Sequence, residues 1–124
     1  MNTLEQVKQQ YIDSAIINKT ASTDGDYRTA NKHAKILKKI TDKMRSGEID
    51  KNILVELLSH DEISVRTLAA IDLLRMKYEV KKAEEALTEI VGMDETGKRI
   101  DEKMSIMAAG IQLKNWRNRG YVDR

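Results

Sequence analysis

Two histidines and their carboxylate neighbours are the side chains best suited to chemistry in this chain, which has no cysteine. Glu56 and His60 lie four positions apart, a spacing that lets both face one metal ion from one side of a helix, with Asp61 following. Helical di-metal sites repeat such a pair, and the sequence contains no second pair. We therefore expect His60 at a helix C-terminus, where an imidazolium ion complements the carbonyl groups, and predict no metal site and no cofactor.

A second chemical pattern is the segment 92–99, GMDETGKR, which imitates a phosphate-binding loop up to its last position. That position holds Arg99 instead of the serine or threonine that would bind magnesium. Asp94 and Glu95 would repel a phosphate group, and no strand is predicted before the segment. The sequence therefore predicts an acidic loop between two helices, in which Asp94 or Thr96 caps the following helix.

The remaining chemical candidates are the acidic cluster Glu84, Glu85 and Glu89 and the second histidine, His33. The carboxylates alternate with lysines, as in ordinary ion pairs along a helix. Acid–base catalysis needs a pocket that raises the pKa of one carboxyl group, and the sequence shows no such pocket. His33 lies in a lysine-rich segment, where no nucleophile can be paired with it. We therefore predict that the protein is not an enzyme.

Composition and charge define the class of protein. The 124 residues include no proline and no phenylalanine, which predicts an all-α chain folded as a single domain over residues 1–124. No apolar run approaches the roughly 18 residues of a membrane span, and no signal-peptide pattern opens the sequence, so we expect a soluble, cytoplasmic protein without membrane contact. The net charge of +2 is unevenly distributed, since residues 27–46 hold seven Lys or Arg against one acidic residue.

Apolar periodicity and end signals predict six helices, at about 3–19, 27–46, 50–59, 63–77, 79–91 and 98–118. Thr3 and Gln6 have the spacing of a capping box at the start of the first helix. The turn-rich stretch 21–26 should separate the first two helices. The fourth helix is apolar in nearly every direction around its axis, so we expect neighbours to cover it on several sides.

The same periodicity predicts which sides of two helices are buried. In the second helix, Asn31 lies between Tyr27 and Ala34 on the apolar side, so we expect it to be partly buried and hydrogen-bonded, a structural role. In the sixth helix, apolar residues at helical spacing form the predicted core face: Ile100, Met104, Met107, Ala108, Ile111 and Trp116. Both methionines are therefore assigned to the core, and Trp116 is assigned a structural role.

The fourth helix and the segment before it resemble the HEAT repeat. The pattern reads Leu57-Leu58, then Asp61, then Val65-Arg66, Ala69-Ala70 and Leu73. With Gly25-Asp26-Tyr27, Asn31, Ala86-Leu87, Ala108 and Trp116, nearly the whole chain is similar to small bacterial HEAT- or armadillo-like repeat proteins of unknown function. This resemblance implies a short α–α superhelix of three hairpins and structural roles for Asp61 and Arg66, with the arginine reaching Asp61 or a helix C-terminus. It also implies interaction rather than chemistry, because members are thought to include immunity-like partners of bacterial toxins.

The sequence therefore predicts a noncatalytic protein-interaction module of a bacterium, such as an immunity or adaptor protein. If the second helices of the hairpins line a concave wall, the candidates for partner binding are Lys32, Lys35, Lys39, Thr67, Asp72, Arg75, Lys103 and Lys114. The alternative is nucleic-acid binding through the basic second helix, whose lysines would contact phosphates. An enzyme acting through an acidic residue in the groove is the least favoured alternative. The sequence predicts neither the identity of the partner nor the oligomeric state.

Overall fold

A computed structural model describes residues 3–119 of the protein. These residues form six α-helices and no β-strand, which confirms the predicted all-α class. The helices are α1 (Leu4–Asp24), α2 (Tyr27–Arg45), α3 (Asn52–Leu57), α4 (Ile63–Met76), α5 (Val80–Val91) and α6 (Ile100–Arg119). In this part of the chain, no helix combines the length and the apolar character needed to cross a bilayer. The chain forms two compact units, Met1–Ile53 and Leu54–Arg124.

The first unit contains the hairpin of α1 and α2. The predicted capping box is present at the start of α1: the Thr3 hydroxyl accepts from the Gln6 N–H at 3.2 Å, and the Gln6 side chain accepts from the Thr3 N–H at 2.8 Å. The helix continues past residue 19, its predicted end, and stops at Gly25, whose φ of 81° is a left-handed conformation that glycine adopts readily. Asp26 then caps α2 by accepting from the Thr29 N–H at 3.2 Å.

The buried side of α2 differs from the prediction. Its buried residues are Ala30, Leu37, Ile40, Thr41 and Met44. Asn31 is exposed, as are Tyr27 and Ala34, so the predicted partial burial of Asn31 is wrong. Successive residues turn by about 100° around a helix, and a line through Tyr27 and Ala34 therefore runs beside the buried side rather than along it.

In the second unit, α4 packs against α5 and α6, which also pack against each other. Ten of the 14 residues of α4 are buried, which confirms that this helix is covered on several sides. Ala69 and Ala70 are both fully buried, and their small side chains permit the close approach of neighbouring helices. Lys77 and Glu79, with φ of 54° and 48°, adopt left-handed conformations that keep the connection to α5 to three residues.

α6 buries a different side from the predicted one. Its buried residues are Ser105, Ile106, Ala109 and Leu113. Met104 and Met107 are exposed, and so are Ile100 and Ile111, so the predicted burial of these four residues is wrong. The helix has two apolar sides, and its packing on α4 and α5 covers the side with the smaller side chains.

Candidate functional site

Four large apolar side chains form an exposed line along α6, which we call the α6 seam. They are Ile100, Met104, Met107 and Ile111, with 68%, 42%, 56% and 52% of their surface exposed. Steps of four, three and four residues keep the α6 seam on one side of the helix over about 17 Å, opposite the buried side. Because apolar surface is stabilised by removal from water, this line of exposed side chains indicates a contact site.

Val91, the last residue of α5, widens the α6 seam near its C-terminal end. It is 43% exposed, and its Cγ2 lies 3.9 Å from the position that a Cβ atom on Gly110 would occupy. Gly110 and Ala108 are small residues on either side of the α6 seam, and Met107 between them is 56% exposed. The apolar surface therefore extends from α6 onto the end of α5.

One edge of the α6 seam is basic. Lys103 and Lys114 lie on this edge, about three helical turns apart, and both are exposed. Neither side chain forms a hydrogen bond or an ion pair with another residue in the range 3–119. The opposite edge carries Asp101, whose Oδ1 lies 3.0 Å from Arg99 Nε. The α6 seam therefore has one edge with two ammonium groups that are unpaired within residues 3–119, and one edge whose carboxylate is paired with Arg99.

Arg99 fixes the start of α6 relative to α4. Its Nη2 lies 3.1 Å from Glu62 Oε2 and 3.8 Å from Glu102 Oε2. The hydrogen bond to Asp101 is the largest cause that raises the pKa of Arg99, followed by the negative charges of Asp101 and Glu102. Glu62 immediately precedes α4, so this group of charges joins the ends of two helices and supports the orientation of the α6 seam.

The segment 92–99 is a loop between α5 and α6, as predicted. Asp94 accepts from the Thr96 N–H at 2.9 Å, and hydrogen bonding by Thr96 lowers the pKa of Asp94. The start of α6 is capped by Glu102, which accepts from the Arg99 N–H at 2.9 Å, rather than by Asp94 or Thr96. Arg99 is engaged with carboxylates, so this loop positions α6 instead of presenting cations to a phosphate.

A second open surface lies on α2 in the first unit. Lys32, Lys35 and Lys39, predicted to bind a partner, are exposed on one side of the helix together with Arg28 and Lys43. We call these five residues the basic stripe. It extends over about 22 Å of the helix. Within the described part of the chain, none of its side chains forms an ion pair or a hydrogen bond.

The other residues predicted to bind a partner lie in different environments. Asp72 and Thr67 are buried, and Asp72 Oδ1 lies 3.6 Å from Arg75 Nη1 within α4. The structure removes Asp72 and Thr67 from the partner-binding set, because neither side chain is accessible to an approaching molecule. Arg75 is exposed, and Lys103 and Lys114 lie at the edge of the α6 seam.

Arg66, predicted to be structural, joins α4 to α5. Its Nη1 lies 3.8 Å from Glu89 Oε1, while its Nε is buried and has no hydrogen-bond partner among the described residues. Asp61, one of the two partners left open by the sequence, is exposed and does not pair with Arg66. Trp116 is half-buried on α6. Arg66 therefore contacts a neighbouring helix instead of the turn before α4.

His60 stabilises the turn between α3 and α4. It follows the end of α3, and its Nδ1 accepts from the Glu62 N–H at 3.0 Å. In this contact His60 faces the N–H group at the start of α4, whereas the prediction placed it against the carbonyl groups that end α3. Among residues 3–119, no group of three or more His, Asp or Glu side chains could hold a metal ion.

Two polar contacts join the helices of the first hairpin, and neither was predicted. His33 Nδ1 on α2 lies 3.1 Å from Ser14 Oγ on α1, beside an open groove of about 510 Å³. Ser14 is only 2% exposed, so its hydroxyl is not placed to attack a substrate. Asn18 Nδ2 donates to the Ala30 carbonyl oxygen at 2.8 Å. The sequence signal for both contacts is that Ser14 and Asn18 are polar residues beside the apolar side of α1, where they can reach α2.

The α6 seam and the basic stripe are two exposed surfaces of different chemistry. The first is apolar with a positive edge, and the second is positive throughout. Comparison of the chain with protein-family models, curated proteins and solved structures found no match.

Proposed function

We propose that the protein is a noncatalytic protein-interaction module whose contact surface is the α6 seam. The observation that carries the proposal is the exposure of Met104 and Met107, together with two isoleucines, on the side of α6 opposite its buried residues. Contiguous exposed apolar side chains mark interaction sites, whereas scattered ones are ordinary. Methionine is enriched at protein interfaces, where its flexible thioether adapts to the shape of a partner.

An immunity or adaptor role in the bacterial cytoplasm is the form of this proposal that the HEAT-like resemblance supports. Such a role consists of covering a surface of another protein, so it requires an accessible contact surface and no reactive group. The contact between His33 and the buried Ser14 supports the same proposal, because a hydroxyl that is 2% exposed serves packing better than attack on a substrate.

Site-specific photo-crosslinking in the source cells tests the proposal. One chain carries a photoreactive amino acid in place of Met107, and a matched chain carries it in place of Leu4, which is equally exposed but lies on α1. We expect a defined crosslinked protein from position 107 and none from position 4. Adding Ile111→Glu should abolish the crosslink, since a carboxylate pressed into an apolar contact loses its hydration. The same products from both positions, or none from position 107, would contradict the proposal.

The basic stripe favours nucleic-acid binding as a second candidate function. Its five exposed cations lie on one side of a single helix and have no carboxylate partner within residues 3–119. Each cation that contacts a phosphate releases a counterion. If all five make such contacts with duplex DNA, the slope of log K against log salt concentration should be about −4.5.

Fluorescence anisotropy with a labelled duplex, measured over a range of salt concentrations, tests this second candidate. Lys35→Glu with Lys39→Glu should weaken binding by about tenfold or more at low salt, because two phosphate contacts become repulsive. Lys81→Glu with Lys82→Glu makes the same change in net charge on α5 and should leave the affinity nearly unchanged. Equal losses in both variants would show a response to net charge alone and would rule out the basic stripe as a site.

A further inference from the structure

We infer that the α6 seam receives an amphipathic helix of another protein, and that this helix carries acidic residues along one flank. The inference rests on the proposed function and adds the chemistry of the partner. It follows from the spacing of the α6 seam, from the small residues beside it and from the charge of its edge.

The α6 seam has the spacing by which helices pack on helices. Its residues alternate steps of four and three, which is the repeat of the a and d positions in a heptad. Such side chains fit between those of a facing helix that has the same repeat. The α6 seam occupies only about 60° of the circumference of the helix, which is the narrow stripe of paired helices rather than a broad amphipathic face. It also lacks the aromatic residues common on helices that lie in a lipid surface.

A facing helix can approach the C-terminal half of the α6 seam closely. A Cβ atom added at Gly110 would meet a single side chain within 4 Å, that of Val91 at 3.9 Å. Ala108, on the other side of Met107, has only a methyl group as its side chain. Apolar side chains of the partner can therefore reach both the α6 seam and the exposed end of α5.

The positive charge on the lysine edge of the α6 seam determines the charge that the facing flank of the partner helix should have. Lys103 and Lys114 are exposed on the same edge and have no partner within residues 3–119. A glutamate or aspartate flank above these lysines forms two ion pairs, whereas a basic flank meets two like charges. Asp101 on the other edge is held by Arg99 and leaves no carboxylate available to a basic partner.

A second copy of this chain complements the α6 seam poorly. Antiparallel pairing about a two-fold axis brings equal edges together, so Lys103 and Lys114 would face the lysine edge of the other copy. Parallel pairing brings the lysine edge to the edge of Asp101, whose Oδ1 is 3.0 Å from Arg99 Nε. In neither arrangement does the facing edge of α6 offer Lys103 and Lys114 an unpaired carboxylate.

Two synthetic helical peptides test the inference. Both carry leucine at the a and d positions of three heptads; one has glutamate along one flank, and the other has lysine at the same positions. Fluorescence anisotropy with the full chain should show the glutamate peptide binding about tenfold more tightly than the lysine peptide, because two exposed charge pairs each change affinity a few-fold. In the variant Lys103→Glu with Lys114→Glu, this order should reverse. Met107→Glu should abolish binding of both peptides, whereas Leu4→Glu should leave it unchanged.

Equal binding of the two peptides, or binding of neither, would overturn the inference. If either of these results is accompanied by a defined crosslink from position 107, the proposed function is still supported. Sedimentation equilibrium that shows a dimer dissociated by Met107→Glu would identify a second copy as the occupant and overturn the inference. Binding to vesicles of anionic lipid without binding of either peptide would overturn it in favour of a lipid surface. Unchanged far-UV circular dichroism of each variant distinguishes these results from unfolding.

Discussion

Two asparagines of the first hairpin show how position around a helix determines the energetic role of one side chain. Asn18 Nδ2 donates to the Ala30 carbonyl oxygen at 2.8 Å across the hairpin, in a partly buried position. Asn31 is exposed and forms no side-chain hydrogen bond within residues 3–119. A hydrogen bond between helices contributes to stability. An exposed amide group is hydrogen-bonded to water in both the folded and the unfolded state, so it contributes little.

Asn18→Ala should therefore be more destabilising than Asn31→Ala. Both substitutions replace asparagine by alanine in a helix, so the gain in helix propensity is the same. The difference in stability between the two variants therefore reports the hydrogen bond of Asn18. We expect a difference of about 1 kcal/mol in the free energy of unfolding, measured by urea denaturation followed by circular dichroism. An equal loss of stability in the two variants would show that Asn31 has the structural role predicted from the sequence.

Asp26, the cap of α2, should make stability depend on pH. Hydrogen bonds from the Thr29 side chain and backbone lower the pKa of Asp26 below its usual value. A carboxyl group whose pKa is lower in the folded state stabilises the protein above its unfolded pKa of about 3.9, and this contribution is lost as the pH falls through the folded pKa. Asp26→Asn keeps a capping oxygen but removes the titration.

Asp26→Asn should therefore preserve stability near neutral pH and reduce the loss of stability on acidification. Urea midpoints measured from pH 6 to pH 2 compare the variant with the wild type. Asp26→Ala serves as the control, since it removes the cap as well and should lower the midpoint at neutral pH. Identical acid profiles for the wild type and Asp26→Asn would show that this cap does not contribute to the acid response.

At the scale of the element, α6 shows that one helix can satisfy two different contacts. Ser105, Ile106, Ala109 and Leu113 are buried in the second unit, and the α6 seam lies on the other side of the same helix. The charges around Arg99 and the packing on α4 and α5 hold the helix so that its larger apolar side chains remain exposed. The element therefore presents a contact surface without losing its own packing.

Truncation of the two sides of α6 should separate these roles. Leu113→Ala removes a side chain that is 4% exposed, so we expect it to lower the free energy of unfolding by about 2–5 kcal/mol. Met107→Ala should change it by less than about 1 kcal/mol, because more than half of Met107 is already in water. Calorimetry or urea denaturation measures both, and a larger effect for Met107 would assign the α6 seam to the core.

At the scale of the whole molecule, the boundary between the two compact units falls inside α3. Ile53 belongs to the first unit and Leu54 to the second, and both are buried. The short helix α3 therefore contributes buried residues to both units. We therefore expect the units to unfold together, in keeping with the predicted single domain.

Differential scanning calorimetry should accordingly show one transition with equal calorimetric and van't Hoff enthalpies. For 124 residues the enthalpy near 60 °C should be about 85 kcal/mol. Leu113→Ala in the second unit should move the whole transition to lower temperature, and Asn18→Ala in the first should do the same to a lesser degree. Two transitions that respond separately to these variants would show two independently folding domains instead.

Local chemistry allowed several features to be predicted from the sequence. The all-α class followed from composition and periodicity, and the capping box of Thr3 and Gln6 followed from spacing alone. The segment 92–99 could be distinguished from a phosphate-binding loop because its acidic residues repel phosphate and Arg99 stands where a serine or threonine would bind magnesium. The exposure of the lysines in the basic stripe was also predictable, since a row of cations on one side of a helix is solvated. The stacking of hairpins into a superhelix stays a prediction.

The number and approximate positions of the helices, and the apolar sides of each, could be read from the chain, because capping, propensity and periodicity act between near neighbours. Which apolar side is covered depends on contacts between helices that are distant along the chain. α6 has two such sides, and its packing against α4 and α5 buries the one with Ala109 and leaves the one with Met107 exposed. The same reason explains Asp72, a charged residue in α4 that neighbouring helices bury. The candidate site was therefore present in the sequence as a set of residues, but its availability to a partner depended on contacts between helices.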